Sequence, residues 1–242
     1  MSAGKLIGIG LGPGDPELLT VKAVKAIKSA SVVAFFAKAG RRGNAREIAD
    51  CWMSREQTEL PLLYPMTTET RFDSPVYIET LRTFYETSCE ALSAHLGAGR
   101  DVAVLAEGDP LFYGSFMHIH VRLRERFEVE IVPGVTGMTG CWGSSQEPIT
   151  WGDDILTVLP ATLSEDELVA RLANTDAAVV MKLGSNFSKA RAAISRSGLL
   201  HRAIYVERGT MPGEKVIKLA DKTDDVAPYF SLILIPGQGR RP

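Results

Sequence analysis

The sequence predicts an α/β protein of two domains. Three observations support this. Short apolar runs rich in Val and Ile alternate with stretches of helical period. Most of those runs end in glycine- or proline-bearing turns, and the same rhythm restarts in the second half of the 242 residues. That length allows one large domain or two modest ones, and 45% hydrophobic against 23% charged residues is ordinary globular composition, with enough apolar surface for real cores.

In chain order, residues 6–9 read as a short buried strand that runs into the turn Gly10-Leu11-Gly12-Pro13-Gly14-Asp15-Pro16. A helix follows, with Leu18, Val21, Val24 and Ile27 as its apolar stripe and Lys22, Lys25 and Lys28 on the wet side. Residues 31–36 form a second strand. Residues 40–70 carry only short apolar pieces broken by Pro61 and Pro65. Residues 74–96 are helical: Val76, Thr80, Phe84 and Thr87 share one side, Ile78, Leu81, Tyr85 and Leu92 widen it, and Gly97 and Gly99 end it. A buried strand at 102–106 leads into Glu107-Gly108-Asp109-Pro110, a helix spans 116–126, and a strand at 127–132 stops at Pro133-Gly134.

The second half offers strands at 155–159, 177–181, 203–207 and 231–235, with an antiparallel addition near 216–219. Ser164 and Glu167 form a capping box, and a helix over 187–197 ends at Gly198. The domain boundary falls near 120–134, giving domains of 1–125 and 126–242.

Charge and cysteine content exclude several classes. A formal net charge of -2 gives no global attraction to nucleic acid or acidic membranes. Cys51, Cys89 and Cys141 are odd in number and widely spaced, which is neither a disulfide framework nor a paired metal signature, and fits a reducing cytoplasm. The first residues lack a signal-peptide plan, and no run reaches the ~18 apolar residues of a membrane span. His118 and His120 are two apart and do not share a helix face, so no metal is expected. Cys141 beside Trp142 reads as packing, and Arg122, Arg124 and Arg126 as a solvated helix face.

Three loops remain. In the first, Pro13 and Asp15 stand where a dinucleotide fingerprint needs its last glycine, so the loop is either a tight strand-to-helix turn or a surface facing a ligand. In the second, Asp109 is restrained by Pro110 and either meets a polar cofactor group or caps the helix nearby. The third is Val132-Pro133-Gly134-Val135-Thr136-Gly137. Together, three such loops at strand ends suit a crevice that binds a small molecule.

At these loops the sequence resembles the tetrapyrrole methylases over nearly its whole length. The residues concerned are 8–20, then Leu105-Ala106-Glu107-Gly108-Asp109-Pro110, the 132–136 loop, Val180-Met181-Lys182 and Glu207-Arg208-Gly209-Thr210. Residues 140–142, 148–154, 205–211 and 227–231 are most similar to the branch that methylates precorrin-2 at carbon 20. The resemblance implies two α/β domains with S-adenosylmethionine in the cleft between them, a homodimer, and a tetrapyrrole substrate. Cobalt-precorrin-2 is the alternative substrate, and a non-catalytic tetrapyrrole carrier the alternative class.

By the same resemblance, Pro13 lies against the cofactor, Glu107, Gly108 and Asp109 wrap it, and Phe112 packs nearby. Thr136 meets its amino-acid portion; Gly137, where many relatives carry serine, offers backbone only. Met181 and Gly209 surround the adenine side. Glu107 replaces the glycine of the uroporphyrinogen-methylating branch. No general base is singled out. The polycarboxylate substrate needs local positive charge, for which Lys38, Arg41, Arg42 and Arg46 are the candidates.

Overall fold

The computed structural model describes residues 2–65 and 74–239, and the chain divides into two compact units, Met1–Thr136 and Gly137–Pro242. The expected boundary at 125/126 lies too early. Residues Val129–Val132 form a strand that pairs in parallel with the first strand of the chain, so they belong to the first sheet.

The first unit runs β1 (Leu6–Gly10), α1 (Val21–Ser29), β2 (Val32–Lys38), α2 (Asn44–Ile48), β3 (Thr58–Tyr64), α3 (Pro75–Gly97), β4 (Val102–Ala106), α4 (Phe116–Leu123) and β5 (Val129–Val132). Its five strands lie in the order β3-β2-β4-β1-β5, all pairings parallel. Parallel strands covered on both faces need apolar side chains on both, and β1 and β4 are buried at every position. Val102, Val104 and Ala106 face a core shared with Phe84, Leu92 and Leu96 of α3 and Phe116, Ile119 and Leu123 of α4. Ala103 and Leu105 face the opposite core, with Ala23 and Ile27 of α1 and Ala45 and Ile48 of α2.

Strand β3 and helix α2 lie in the stretch that showed no periodicity. Pro61 sits inside β3 opposite Phe35 of β2. A proline is tolerated there because β3 is the edge strand and Pro61 need not donate outward. The helical spacing sets Val76 and Ile78 on the apolar side of α3, but they are 66% and 57% exposed, and the inward face begins with Leu81 and Phe84. The first turn therefore lies clear of the core.

The second unit runs α5 (Gly137–Ser145), β6 (Leu156–Pro160), α6 (Glu165–Leu172), β7 (Ala177–Met181), α7 (Phe187–Arg196), β8 (Ile204–Glu207), β9 (Lys215–Lys218) and β10 (Ser231–Ile235). The strand order is β6-β7-β10-β8-β9; β10 is antiparallel to both neighbours, and β9 is antiparallel to β8. Leu168 and Leu172 of α6 and Phe187, Ala190 and Ile194 of α7 cover one face, and α5 covers the other through Cys141. The Ser164–Glu167 capping box forms as expected. Helix α5 did not show in the sequence because Gly137, Gly140 and Gly143 make it resemble a loop. Among the described residues no helix is long and apolar enough to cross a membrane.

Candidate functional site

Because β4, β1 and β5 are adjacent and parallel, the three punctuated loops leave the same edge of the first sheet. They are fastened to one another by backbone. Leu11 N donates to Ala106 O (2.9 Å), Gly108 N to Gly12 O (2.8 Å) and Gly12 N to Gly108 O (3.3 Å), a two-residue antiparallel bridge between loops one and two. Gly12 and Gly108 take φ of +78° and +65°, which glycine reaches without a Cβ penalty. A Cβ on Gly10 would stand 2.5 Å from Gly134 N, and one on Gly134 would overlap the Gly108 carbonyl oxygen. The glycines thus let three loops pack backbone against backbone.

Asp109 joins loops two and three. Its Oδ1 accepts from Leu111 N (2.9 Å) and its Oδ2 from Gly134 N (3.0 Å). It caps no helix; Ser115 precedes α4. Asp15 accepts from Glu17 N (2.8 Å) and caps the turn Pro16–Leu18, which leaves Pro13 half-buried at the tip of loop one. Past Asp109, Phe112 meets Tyr113 edge-on at 4.9 Å between ring centroids, and Tyr113 holds φ 54°.

Glu107 follows the last residue of β4. Burial pushes its carboxyl above the ordinary range, and a hydrogen bond with the Asn44 side chain pulls the other way. Asn44 opens α2, in the stretch where no element was expected; a lone Asn after Gly43 carries no functional signal in sequence.

In the second unit, β7 and β8 are both antiparallel to β10, and Val180 and Tyr205 both pair with Ile233. Met181 and Gly209 therefore lie off the same edge of that sheet. The residues after these strand ends are strained: Lys182, Arg208 and Thr210 take φ of 60°, 52° and 65°. Such conformations cost on the order of 1–3 kcal/mol each and cluster where function demands them. A Cβ on Gly209 would lie 2.7 Å from Cys141 Sγ, so its missing side chain serves the packing of α5. Thr210 N donates to Glu214 Oε2 (2.6 Å) and to Ser144 Oγ (3.2 Å), and Ser144 donates to the same carboxylate. Ser144 and Glu214 are far apart in sequence and were not anticipated. Burial pushes the Cys141 thiol to about 12, consistent with packing rather than a nucleophile. Thr136 and Gly137 stand at the junction between the units; a Cβ on Gly137 would meet nothing within 4 Å.

The basic candidates separate. Arg46 is buried, and its guanidinium holds Glu59 by two bonds (2.9 and 2.6 Å) and Asp50 by a third (2.8 Å). Arg42 is bound to Asp50 at 2.6 Å. Arg46 is therefore held in structural ion pairs, its donors engaged by Asp50 just past α2 and by Glu59 of β3 rather than offered to a substrate. Lys38 ends β2 and Arg41 follows in the turn, both exposed. His118 stacks on Tyr85 and His120 on Phe116.

A parallel sheet whose glycine loops converge at one edge defines a small-molecule-binding α/β protein. The chain belongs to the tetrapyrrole (corrin/porphyrin) methylases, whose family model matches residues 5–222. It is 57% identical to a precorrin-2 C(20)-methyltransferase of Sinorhizobium sp over 242 residues, covering 100% of this chain and 99% of that protein. It is 31% identical to the cobalt-precorrin-2 C(20)-methyltransferase of Salmonella typhimurium, with 97% of each covered. In fold it is similar to the uroporphyrin-III C-methyl transferase of Thermus thermophilus complexed with S-adenyl homocysteine: TM-score 0.66, 23% identity, 96% of each chain covered.

Proposed function

We propose that this protein transfers the methyl group of S-adenosylmethionine to carbon 20 of precorrin-2, giving precorrin-3A. The observation that carries the reading is the 57% identity to a precorrin-2 C(20)-methyltransferase along the full chain. The lower 31% identity to the cobalt-precorrin-2 enzyme makes the cobalt complex the competing substrate.

The residues fit the cofactor. It bears a sulfonium cation, and Glu107, the residue that follows β4, supplies a carboxyl. In the first unit, backbone groups of Pro13 and Gly108 serve the cofactor, and Phe112 offers it an aromatic face. Asp109 holds the loops that present these groups. Thr136 and the backbone of Gly137 serve the amino-acid portion, and Met181 and Gly209 the adenine side. When bound, the cofactor supplies an electrophilic methyl group. The protein's part is to align the macrocycle's nucleophilic carbon with it and keep water away. After attack, carbon 20 sheds its proton.

Lys38 and Arg41, with Arg42 at the rim, provide positive charge for the substrate carboxylates. The active form is a homodimer and works in the cytoplasm, a setting suited to three free cysteines.

The test is direct. S-adenosylmethionine should bind measurably by calorimetry, and precorrin-2 should gain one methyl by mass. Side-by-side rates on precorrin-2 and cobalt-precorrin-2 should favour the metal-free substrate. No binding of either the cofactor or its demethylated product would refute the reading; tight binding of both ligands without methylation would favour a carrier.

A further inference from the structure

In the second unit, β10 begins at the sheet edge where β7 and β8 end: Ser231 pairs with Glu207, and Ile233 with Val180. The turn that leaves β8 there is built around Arg208. Its N–H donates to Phe230 O at 2.7 Å, and its carbonyl accepts from Met211 N at 2.8 Å. Its φ of 52° lies in the left-handed region, uncommon for a residue with a Cβ. Glycine or asparagine would hold that backbone more easily, so the turn itself does not call for an arginine. The side chain is fixed as well. Nε donates to Pro212 O at 3.1 Å, and a Cβ on Gly213 would lie 3.9 Å from Cδ and Nε, so the stem runs along its own loop. A guanidinium carries five N–H donors. The bond to Pro212 uses one, and among the described residues the two terminal nitrogens hold no carboxylate. The nearby acids are engaged elsewhere. Glu207 accepts from the Tyr205 hydroxyl at 2.9 Å, and Glu214 from Ser144 Oγ and Thr210 N, both at 2.6 Å. Asp224 pairs with Lys222 and Asp225 with Arg191. Beside the turn, Phe230 meets Tyr229 edge-on at 5.0 Å between centroids, and Tyr229 is 74% exposed. Residues 205–211 and 227–231, two of the segments most similar to the precorrin-2 branch, thus meet at the bond from Arg208 N to Phe230 O.

We propose that Arg208 and Tyr229 form a substrate-binding surface on the second unit: the two terminal nitrogens of Arg208 grip one carboxylate of the macrocycle as a bidentate pair, and the Tyr229 ring lies against the apolar ring system. The inference rests on the tetrapyrrole reading above. It adds a contact apart from Lys38, Arg41 and Arg42, all of which belong to the first unit. The planar fork of a guanidinium matches the two oxygens of a carboxylate, which a lysine ammonium does not. Because its own loop already holds Nε, Arg208 has less rotamer freedom to lose on binding than an untethered surface arginine. A tetrapyrrole is broad and apolar at its ring and edged with carboxylates, so it offers a partner to both the cation and the exposed aromatic side chain.

Steady-state kinetics, cofactor titration and thermal melts on the full-length protein read this together. Arg208→Asn removes the guanidinium and leaves a residue that tolerates the left-handed turn. Its KM for precorrin-2 should rise by at least about tenfold, the loss expected of one charge-assisted hydrogen bond. Its affinity for S-adenosylhomocysteine should match that of the wild type, and its Tm should be no lower. Arg208→Lys keeps the charge without the fork and should give an intermediate KM. Tyr229→Ala should raise the same KM, and Tyr229→Phe, which keeps the ring, should not. A wild-type KM in Arg208→Asn, Arg208→Lys or Tyr229→Ala overturns the inference. So does an Arg208→Asn variant that loses S-adenosylhomocysteine affinity, which would place the cofactor's own carboxylate there, or one whose Tm falls, which would make the side chain structural. Each of these leaves the methyltransferase reading standing. Absence of methylation of precorrin-2 by the wild type overturns both.

Discussion

Asp109→Ala is the most informative single change. The carboxylate accepts one backbone N–H from its own loop, Leu111 at 2.9 Å, and one from the next loop, Gly134 at 3.0 Å. A hydrogen bond to a charged group contributes about 1.5–3 kcal/mol when it cannot be replaced by water. The Leu111 bond is exposed, so water takes it over; the Gly134 bond is part-buried and its loss is felt more fully. The expected cost is about 2–3 kcal/mol, which at roughly 2–4 °C per kcal/mol lowers Tm by about 4–12 °C. Since the same tie orders the loops at Gly108 and Gly134, affinity for S-adenosylmethionine should fall at least about tenfold, or about 1.4 kcal/mol. The sequence left two separate outcomes open: a cofactor contact that weakens binding at constant Tm, or a helix cap that lowers Tm at constant binding. The structure instead couples them, because one side chain serves loop geometry. Scanning calorimetry and cofactor titration on the same sample read both. A Tm within about 1 °C of wild type, or full affinity at a lowered Tm, refutes the reasoning.

Two glycines should respond in opposite ways. Gly134→Ala drives a Cβ into the Gly108 carbonyl and should prevent soluble expression or cost several kcal/mol, whereas Gly137→Ala enters open space in the first turn of α5 and should raise stability by up to about 1 kcal/mol; denaturant melts rank them. Arg46→Met should lower stability by about 1–2 kcal/mol, discounted because both its carboxylate partners are half-exposed, and leave the KM for precorrin-2 unchanged. The Arg46 guanidinium holds Glu59 and Asp50 below the ordinary carboxylate range, so their stabilisation is present above the unfolded values and lost as pH falls through the native ones; an acid titration of Tm should flatten there in Arg46→Met. Glu107 has the opposite sign: its raised carboxyl costs stability as pH climbs from the unfolded value to the native one, so Glu107→Gln should gain Tm over wild type at neutral pH and match it in acid. Native protein at about pH 8 should expose only Cys51 to a thiol reagent, since burial pushes Cys89 to about 11 and Cys141 to about 12.

Where local chemistry is strong, the sequence alone was enough. Strands β4, β7 and β10 begin and end where their apolar runs do, because a buried parallel or central strand must be apolar throughout. The Ser164–Glu167 cap is likewise a four-residue interaction that no distant contact alters. The order of the glycine loops along the chain was legible as well, since each directly follows a strand. Tertiary structure decided the rest. Strand β3 shows no strand signature, and only its place at the sheet edge accommodates Pro61. Whether Val76 faces core or solvent depends on how far α3 extends past its sheet, which helical period cannot tell. Arg46 reads as a free cation until β3 brings Glu59 to it, and Asp109 reads as a cap or a ligand until β5 pairs beside β1 and delivers Gly134. Periodicity and capping are short-range and survive in the one-dimensional string. The partners of charged and polar side chains are set by strand order, which the chain acquires only when it folds.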